Sequence, residues 1–168
     1  AEYDGDEPPS VDVEPDHEAS HTYTGGTTGR PKGVVHTHRQ RTLNLYAHVL
    51  ELDLTSSSQL LLTTPLAHSA GRFLTASWLT GATSLVRQEF DPESVLRTIE
   101  SRGVTWTFMV PTMIYTLLDS DAVESYDTGS LQNVIYGAAP MTPNRLQEGI
   151  DAFGPIFTQF YGQSEVPN

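Results

Sequence analysis

The sequence predicts an α/β protein in which alternating strands and helices form a largely parallel sheet. Short β-branched or apolar runs, such as "QLLLTTP" and "VTWTFMVP", alternate with stretches that have the spacing of helices. In two of these helical stretches, "DPESVLRTIESRG" and "TPNRLQEGIDAFG", a proline stands just inside the start and a glycine stands at the end. Strands separated by helices in this way are typical of βαβ units, whose strands lie parallel.

Residues 1–20 are predicted to form an acidic linker or loop. They contain eight of the 21 acidic residues, none of the nine basic residues and three prolines. They also show no periodic apolar face, which a packed strand or helix would need. We therefore assign the folded part of the chain to residues 21–168.

The first predicted helix follows two stretches that are rich in β-formers. "HTYTGG" and "KGVVHTH" flank a glycine-rich loop, and "HRQRTLNLYAHVLEL" comes next. Leu43, Tyr46, Ala47 and Leu50 recur there at helical spacing, so a helix is predicted.

The rest of the chain continues the alternation. Strands are predicted at "QLLLTTP", "ATSLVRQ", "VTWTFMVP", "LQNVIYGA" and "PIFTQFYG". Helices are predicted at "AGRFLTASWLTG", "DPESVLRTIESRG", "TMIYTLLDS" and "TPNRLQEGIDAFG". Asp91 and Thr142 are the expected N-caps, and Gly81, Gly103 and Gly154 are the expected helix ends.

Three polar or glycine-rich stretches follow predicted strands. They are "TPLAHSAG" (64–71), "YGAAPMTP" (136–143) and "YGQSE" (161–165). In parallel α/β sheets, ligands bind outside the carboxyl ends of the strands. We therefore expect the three stretches to converge on one site.

The composition limits the classes of function. A net charge of −12 makes nucleic acid an unsuitable partner, because its phosphates require cationic contacts. The lack of cysteine excludes disulfides, zinc–thiolate sites and thiol nucleophiles. No apolar stretch approaches the roughly 20 residues of a transmembrane helix, and no secretory signal pattern is found, so a cytoplasmic protein is expected.

One loop carries the single lysine of the chain. In "YTGGTTGRPKG", residues 23–33, the glycines permit positive φ angles, so that successive N–H groups can line an anion-binding nest. Threonine hydroxyls and a lysine ammonium would add donors to that nest. The loop is predicted to bind a polyphosphate through Thr24, Gly25, Gly26, Thr27, Thr28, Gly29 and Lys32.

Other interpretations of this loop fit less well. A Walker P-loop would have serine or threonine after the lysine, whereas this chain has Gly33. A dinucleotide fingerprint fails because the loop contains no G-x-G-x-x-G. A purely structural turn would explain the glycines, but not the three threonines together with the Pro-Lys-Gly ending.

The loop "YTGGTTGRPKG" resembles the phosphate-loop motif of the acyl-adenylate-forming superfamily, [YF]-T-[SG]-G-[ST]-T-G-x-P-K-G, at every defined position. That superfamily includes acyl- and aryl-CoA synthetases, luciferases and the adenylation domains of peptide synthetases. The resemblance implies an α/β domain that uses ATP and Mg²⁺ to convert a carboxylic acid into an acyl-AMP. Coenzyme A is the implied acceptor, and Lys32 is implied to contact the β- and γ-phosphates.

A second motif, "YGQSE", resembles the family's Y-G-x-[TS]-E. By this resemblance Tyr161 lies against adenine, and Ser164 donates a hydrogen bond near the α-phosphate. Glu165 is the implied Mg²⁺ ligand and so a catalytic residue, with Gly162 and Gln163 in the same nucleotide-binding turn. An aromatic face, a hydroxyl donor and a carboxylate suit a base, an oxyanion and a hard cation respectively.

Two further stretches resemble family segments. "YGAAP" is similar to G-[GA]-A-P, which implies that Gly137, Ala138 and Ala139 border the nucleotide and that Gly137 also borders the acyl pocket. "TPLAHSAG" is similar to P-[LMF]-x-H-x-x-G, which implies that His68 is a catalytic residue near the reacting carboxylate and the acyl pocket. The alternative for His68 is a helix-capping or core histidine.

Several alternatives stay open. A peptide-synthetase adenylation domain would usually place an aspartate near His68 to pair with the substrate ammonium, but no acid occurs between residues 54 and 88. A non-catalytic remnant that keeps the loop is a third possibility. His36 and His38 form H-x-H on a predicted strand and so point to one face, which we interpret as packing rather than as a metal site.

The resemblance covers residues 21–168, which correspond to the middle part of a family enzyme. Family members continue into a hinge and a small C-terminal domain that carries a catalytic lysine. We therefore expect this chain to be a piece of the large domain, truncated at both ends and inactive alone. The expected parent is a CoA synthetase for a fatty or other non-amino carboxylic acid.

Overall fold

The structure, a computed structural model, describes residues 10–24 and 29–166. The chain divides into two units, Ala1–Leu43 and Asn44–Asn168. Within the described ranges, no helix combines the length and the apolar character that a membrane crossing requires.

An antiparallel pair of strands forms the framework of the first unit. β1 (Glu18–Thr24) pairs with β2 (Lys32–Thr37), so both predicted β-rich stretches are strands. They form a sheet of their own and do not belong to the parallel sheet. β1 begins at Glu18, inside the stretch predicted to be linker, because Glu18 pairs across the hairpin with Thr37.

The residues before β1 are held by hydrogen bonds and one ion pair. The Arg39 guanidinium donates to the Asp16 carboxylate, with 2.9 Å between Nε and Oδ1. The backbone amide of Arg39 also donates to the Pro15 carbonyl at 2.7 Å. The hydrogen bond and charge of Arg39 hold the pKa of Asp16 below its usual value. Pro15 and Asp16, near the end of the predicted linker, are therefore held to Arg39 within the first unit.

The second unit contains the predicted parallel sheet. Its strands are β3 (Gln59–Leu62), β4 (Thr83–Val86), β5 (Trp106–Met109), β6 (Asn133–Gly137) and β7 (Phe157–Phe160). They lie in the order β4-β3-β5-β6-β7, and every neighbouring pair is parallel. All the carboxyl ends therefore lie along one edge of the sheet.

The helices begin and end close to the predicted residues. They are α1 (His38–Leu52), α2 (Ser69–Thr80), α3 (Pro92–Arg102), α4 (Pro111–Leu118) and α5 (Pro143–Phe153). Asp91 caps α3 by accepting a hydrogen bond from the Ser94 amide at 2.8 Å, and Thr142 caps α5 at 3.4 Å. Gly81 and Gly103 end α2 and α3 in the left-handed conformation, and Gly154 ends α5 with a φ of 89°.

Helices cover both faces of the sheet. Leu61 of β3 packs into a cluster with residues of α3 and α4. Its neighbours Leu60 and Leu62 point to the other face, where they join Phe73 of α2 and Leu52 of α1. Because both faces are buried, the strands are continuous apolar runs rather than alternating ones.

The buried face of α1 is not formed by the four residues whose spacing predicts the helix. Leu43, Tyr46 and Leu50 are 62%, 53% and 79% exposed. The stripe that faces the core instead consists of the partly buried Leu45 and Val49 and the fully buried His48 and Leu52. These positions also have helical spacing, but one of them is a histidine, and its aromatic ring takes the place of an apolar side chain.

Candidate active site

A cleft lies at the carboxyl end of β6 and β7. Its volume is about 260 Å³. One wall is the segment that follows β6, and the other is the end of β7 with the residues after it. The lining residues are Ala138, Ala139, Pro140, Gln159, Phe160, Tyr161 and Gly162. Pockets for drug-sized ligands measure about 300–1,000 Å³, so this cleft suits one planar group rather than a whole nucleotide.

The wall that follows β6 depends on a glycine and on an unusual backbone angle. A Cβ atom on Gly137 would lie 2.5 Å from the carbonyl oxygen of Phe160, so only glycine permits this close approach of β6 and β7. The next residue, Ala138, has a φ of 67°, in the left-handed region that residues with a side chain rarely adopt. Strained backbone of this kind is often found at functional sites.

The opposite wall presents two aromatic residues. Tyr161 is 79% exposed, so its ring is accessible to a ligand. Phe160 is half-buried and packs against Phe73 and His48, with ring centroids 5.6 and 5.5 Å apart. Phe160 lies outside the motifs to which roles are assigned above. Its place directly before Tyr161 at the end of a strand was the available signal.

A tight turn follows Gly162. The amide of Gln163 donates to the carbonyl of Val166 at 3.0 Å, and the amide of Val166 donates back to the carbonyl of Gln163 at 3.2 Å. Ser164 and Glu165 are therefore the central residues of the turn, with Ser164 half-buried and Glu165 exposed. The turn offers a hydroxyl and a carboxylate beside the cleft.

His68 lies on the same edge of the sheet but outside the cleft. It follows β3, which is two strands from β6, or roughly 10 Å at the usual strand spacing. His68 occupies the N-cap position of α2 without a side-chain capping bond, and it is exposed. Its side chain therefore neither caps the helix nor packs in the core. Of the three stretches expected to converge, the two after β6 and β7 form the cleft.

The glycine-rich loop connects the two strands of the first unit. Thr24 pairs with Lys32, and the Thr24 hydroxyl donates to the Lys32 carbonyl at 3.4 Å. The Lys32 side chain is exposed, and Gly29 has no atom within 4 Å of where a Cβ would stand. Gly25, Gly26, Thr27 and Thr28 lie outside the described residues.

No metal centre is formed by three or more histidine or acidic side chains in residues 10–24 and 29–166. The two histidines of the H-x-H pattern do not share a strand face, contrary to the sequence-based expectation. His36 is buried on β2, whereas His38 is exposed and is the first residue of α1. The strand ends at Thr37, so the alternation that would align the two side chains is broken.

Comparisons with known proteins agree with this arrangement. The family model described as "AMP-binding enzyme" matches residues 1–167. The medium/long-chain-fatty-acid–CoA ligase FadD8 of Mycobacterium tuberculosis is 42% identical over 158 residues, which are 94% of this chain and 28% of that protein. The feruloyl-CoA synthase of an Amycolatopsis species is 36% identical over 163 residues, which are 96% of this chain and 33% of that protein.

A solved structure supports the same relationship. The crystal structure of ATP-bound MatB from Rhodopseudomonas palustris aligns with a TM-score of 0.82 and 28% identity, and the alignment covers 93% of this chain and 31% of that one. The chain thus spans about a third of the length of the relatives it matches. With the parallel sheet, the cleft at its carboxyl edge and the family match in agreement, the chain belongs to the AMP-binding enzyme family.

Proposed function

We propose that this chain is part of an AMP-forming acyl-CoA synthetase, in which it binds ATP and borders the site where a carboxylic acid is activated. The proposal rests mainly on the cleft between the segments after β6 and β7. It combines a wall of small residues, an exposed tyrosine ring and an adjoining turn with a hydroxyl and a carboxylate. A fatty-acid–CoA ligase and a feruloyl-CoA synthase are relatives of this same stretch of chain.

In the proposed reaction, a carboxylate oxygen of the acid attacks the α-phosphorus of ATP. The bond to the bridging oxygen breaks, pyrophosphate leaves, and acyl-AMP forms. The thiol of coenzyme A then attacks the acyl carbon and displaces AMP, giving the thioester. Rate acceleration in such a reaction comes mainly from positioning and from stabilising the charge on the phosphates.

The residues of the cleft would hold the adenosine part of ATP. Tyr161 offers an aromatic face for stacking, and Ala138 and Ala139 leave room for a flat ring. Ser164 would donate a hydrogen bond near the α-phosphate. Glu165 is exposed and has the hard oxygen ligands that Mg²⁺ prefers, so it would hold that ion, which supplies positive charge against the phosphates.

The loop of the first unit would bind phosphate. Its exposed Lys32 offers a compact positive charge, and the backbone amides of Gly25, Gly26 and Gly29 can approach an anion closely. The phosphate contacts are assigned to these groups with the hydroxyls of Thr24, Thr27 and Thr28. This assignment rests on the motif and on the exposure of Lys32.

The acid substrate is proposed to carry no ammonium group. Residues 54–88 contain Arg72 and Arg87 but no acidic side chain. A substrate ammonium held near His68 would therefore find no partner in this segment, and an unpaired buried charge is strongly unfavourable. We assign His68 to the region of the reacting carboxylate and Gly137 to the border of the acyl pocket. A peptide-synthetase adenylation domain is the second candidate.

Calorimetric titration of the 168-residue chain with Mg·ATP tests the nucleotide proposal. We expect binding that weakens about tenfold or more in Lys32→Ala, because one charge-assisted contact to phosphate contributes about 1.5–3 kcal/mol. Arg102→Ala, on the exposed end of α3, is the control and should bind like the original chain. Equal affinity for ATP in Lys32→Ala would contradict the assignment of the loop.

The reaction itself is tested by ATP–pyrophosphate exchange. With the complete protein and a panel of acids, we expect exchange with fatty or aryl acids and none with amino acids. Acceleration by amino acids alone would favour the peptide-synthetase candidate. The 168 residues by themselves are expected to bind nucleotide without turnover, and acyl-AMP formation by them would contradict that expectation.

A further inference from the structure

His48 is a buried histidine for which the proposed reaction has no role. It lies on α1 and is only 2% exposed. Its Nδ1 atom lies 2.7 Å from the carbonyl oxygen of Asn44, so Nδ1 carries the proton and donates to that carbonyl. Its Nε2 atom has no hydrogen-bond partner within the described part of the chain. A neutral ring with one satisfied nitrogen therefore lies in the core.

The ring of His48 belongs to an aromatic cluster that reaches the cleft. It packs edge-on against Phe73 at 5.2 Å between centroids and contacts Phe160 at 5.5 Å. Phe73 and Phe160 also contact each other at 5.6 Å. Phe160 lines the cleft and directly precedes Tyr161. One contact therefore separates His48 from the tyrosine proposed to stack on the base.

The surroundings of His48 disfavour its protonated form. Burial is the main cause that lowers its pKa, and the charge of Arg72 lowers it further, although the Asn44 carbonyl acts in the opposite direction.

Few other charged groups lie on the elements around His48. Arg72 is the only charged residue of α2. The cluster also includes Phe108 of β5, whose ring centroid lies 4.9 Å from that of Phe73. Neither β5 nor β7 carries a charged residue, and Tyr161 is the titratable group that follows β7. On α1, Arg39, Arg41 and Glu51 are exposed.

We propose that His48 is a positioning residue for the cleft, whose neutral ring packs against Phe160 and keeps the Phe160–Gly162 backbone in the shape that accepts a planar base. Protonation places a second positive charge near Arg72 and adds an unsatisfied N–H to an apolar cluster. The cluster then opens, and Phe160 and Tyr161 move. The cleft is in this way sensitive to acid. The part of the inference that concerns the base rests on the proposed nucleotide function.

Adenosine is the probe for this inference, because it carries no phosphate that titrates between pH 5 and 8. We expect its affinity for the 168-residue chain to decrease as the pH falls from 7.5 to 5.5. About tenfold is the upper limit of this decrease, which would require that protonated His48 excludes adenosine and that its pKa in the free chain is the ordinary 6.5. Because the pKa of His48 is lowered, the decrease should be smaller than that limit.

Two substitutions distinguish the effect of protonating His48 from the effect of packing its ring. His48→Phe keeps an aromatic ring but cannot bind a proton, so adenosine affinity should become independent of pH in this range. His38→Phe removes an exposed histidine at the start of the same helix and should keep the original pH dependence. A His48→Phe variant that loses affinity at pH 5.5 as the original chain does would overturn the proposal.

A second measurement needs neither a variant nor a ligand. Nuclear magnetic resonance can follow the His48 ring and the ring and amide signals of Phe160 and Tyr161 in the original chain during a pH titration. We expect these signals to change with one common midpoint. Signals of Phe160 and Tyr161 that stay constant while His48 titrates would overturn the inference, even if His48→Phe does not fold. If adenosine binds at no pH, the proposed function of the cleft fails, while the titration still decides the role of His48.

Discussion

Single residues shape the cleft through the space they leave. Gly137 has no Cβ, and the position of that atom is occupied by the carbonyl of Phe160. Ala138 then turns the chain away from β6 with a positive φ. The small residues of "YGAAP" therefore have two separate functions: one lets two strands approach each other, and the other directs the wall of the cleft. The sequence motif indicates their importance without distinguishing these functions.

Gly137→Ala is expected to destabilise the chain by about 1–3 kcal/mol, the range typical of overpacking, because β6 and β7 must separate to admit the methyl group. The free energy of unfolding in urea measures this effect. Gly29→Ala is the matched control, since its added methyl group would meet no atom within 4 Å. An equal effect of the two substitutions would argue against the close approach of the two strands.

His48 should make stability depend on pH. Its pKa is lowered in the folded chain, so the unfolded chain binds more protons at pH values below about 6.5. The stabilising effect of the neutral ring is therefore complete above that pH and is lost progressively as the pH falls towards the folded-state pKa. Denaturant titrations at pH 7.5 and 5.5 should show a smaller loss of stability in His48→Phe than in the original chain. An unchanged loss would contradict this assignment.

At the scale of helices and strands, capping and periodicity were sufficient for most predictions. The five parallel strands, the ends of α2 and α3 at Gly81 and Gly103 and the caps Asp91 and Thr142 are confirmed. Periodicity could not identify the buried face of α1, because Leu43, Tyr46 and Leu50 are the more apolar stripe, yet His48 packs in the core. The antiparallel pairing of β1 with β2 also depends on contacts that no local pattern specifies.

Removal of the N-cap of α3 tests the capping argument. Asp91→Ala should reduce the free energy of unfolding by about 1 kcal/mol, because the amide of Ser94 loses its acceptor. Asp91→Ser retains a capping oxygen and should restore most of that loss. Thr142→Ala should have a smaller effect, since its capping bond to Arg145 is longer, at 3.4 Å. A larger effect of Thr142→Ala would contradict this ranking.

At the scale of the whole molecule, the chain contains two motifs that are proposed to bind nucleotide, one in each unit. The loop with Lys32 belongs to the first unit, and the cleft with Tyr161 belongs to the second. Sequence motifs were enough to identify the family, because the loop matches all ten defined positions of a specific pattern. They could not reveal that His48 packs behind Phe160, since that contact joins residues more than a hundred positions apart.

The two motifs should contribute to different parts of the ligand. Tyr161→Ala is expected to weaken the binding of both ATP and adenosine about tenfold, because aromatic stacking on a base contributes about 1–3 kcal/mol. Lys32→Ala is expected to weaken the binding of ATP and to leave adenosine unaffected. Calorimetry with the two ligands checks this division. A loss of adenosine binding in Lys32→Ala would contradict separate roles.

In the proposed function, the cleft between the segments after β6 and β7 receives the adenine of ATP. Photolabelling with azido-ATP, followed by mass spectrometry of the digested chain, tests it most directly. We expect labelling of the peptides that contain Ala138–Pro140 or Gln159–Gly162, and protection of those peptides by excess ATP. Labelling confined to other peptides, or labelling that excess ATP does not prevent, would contradict the account.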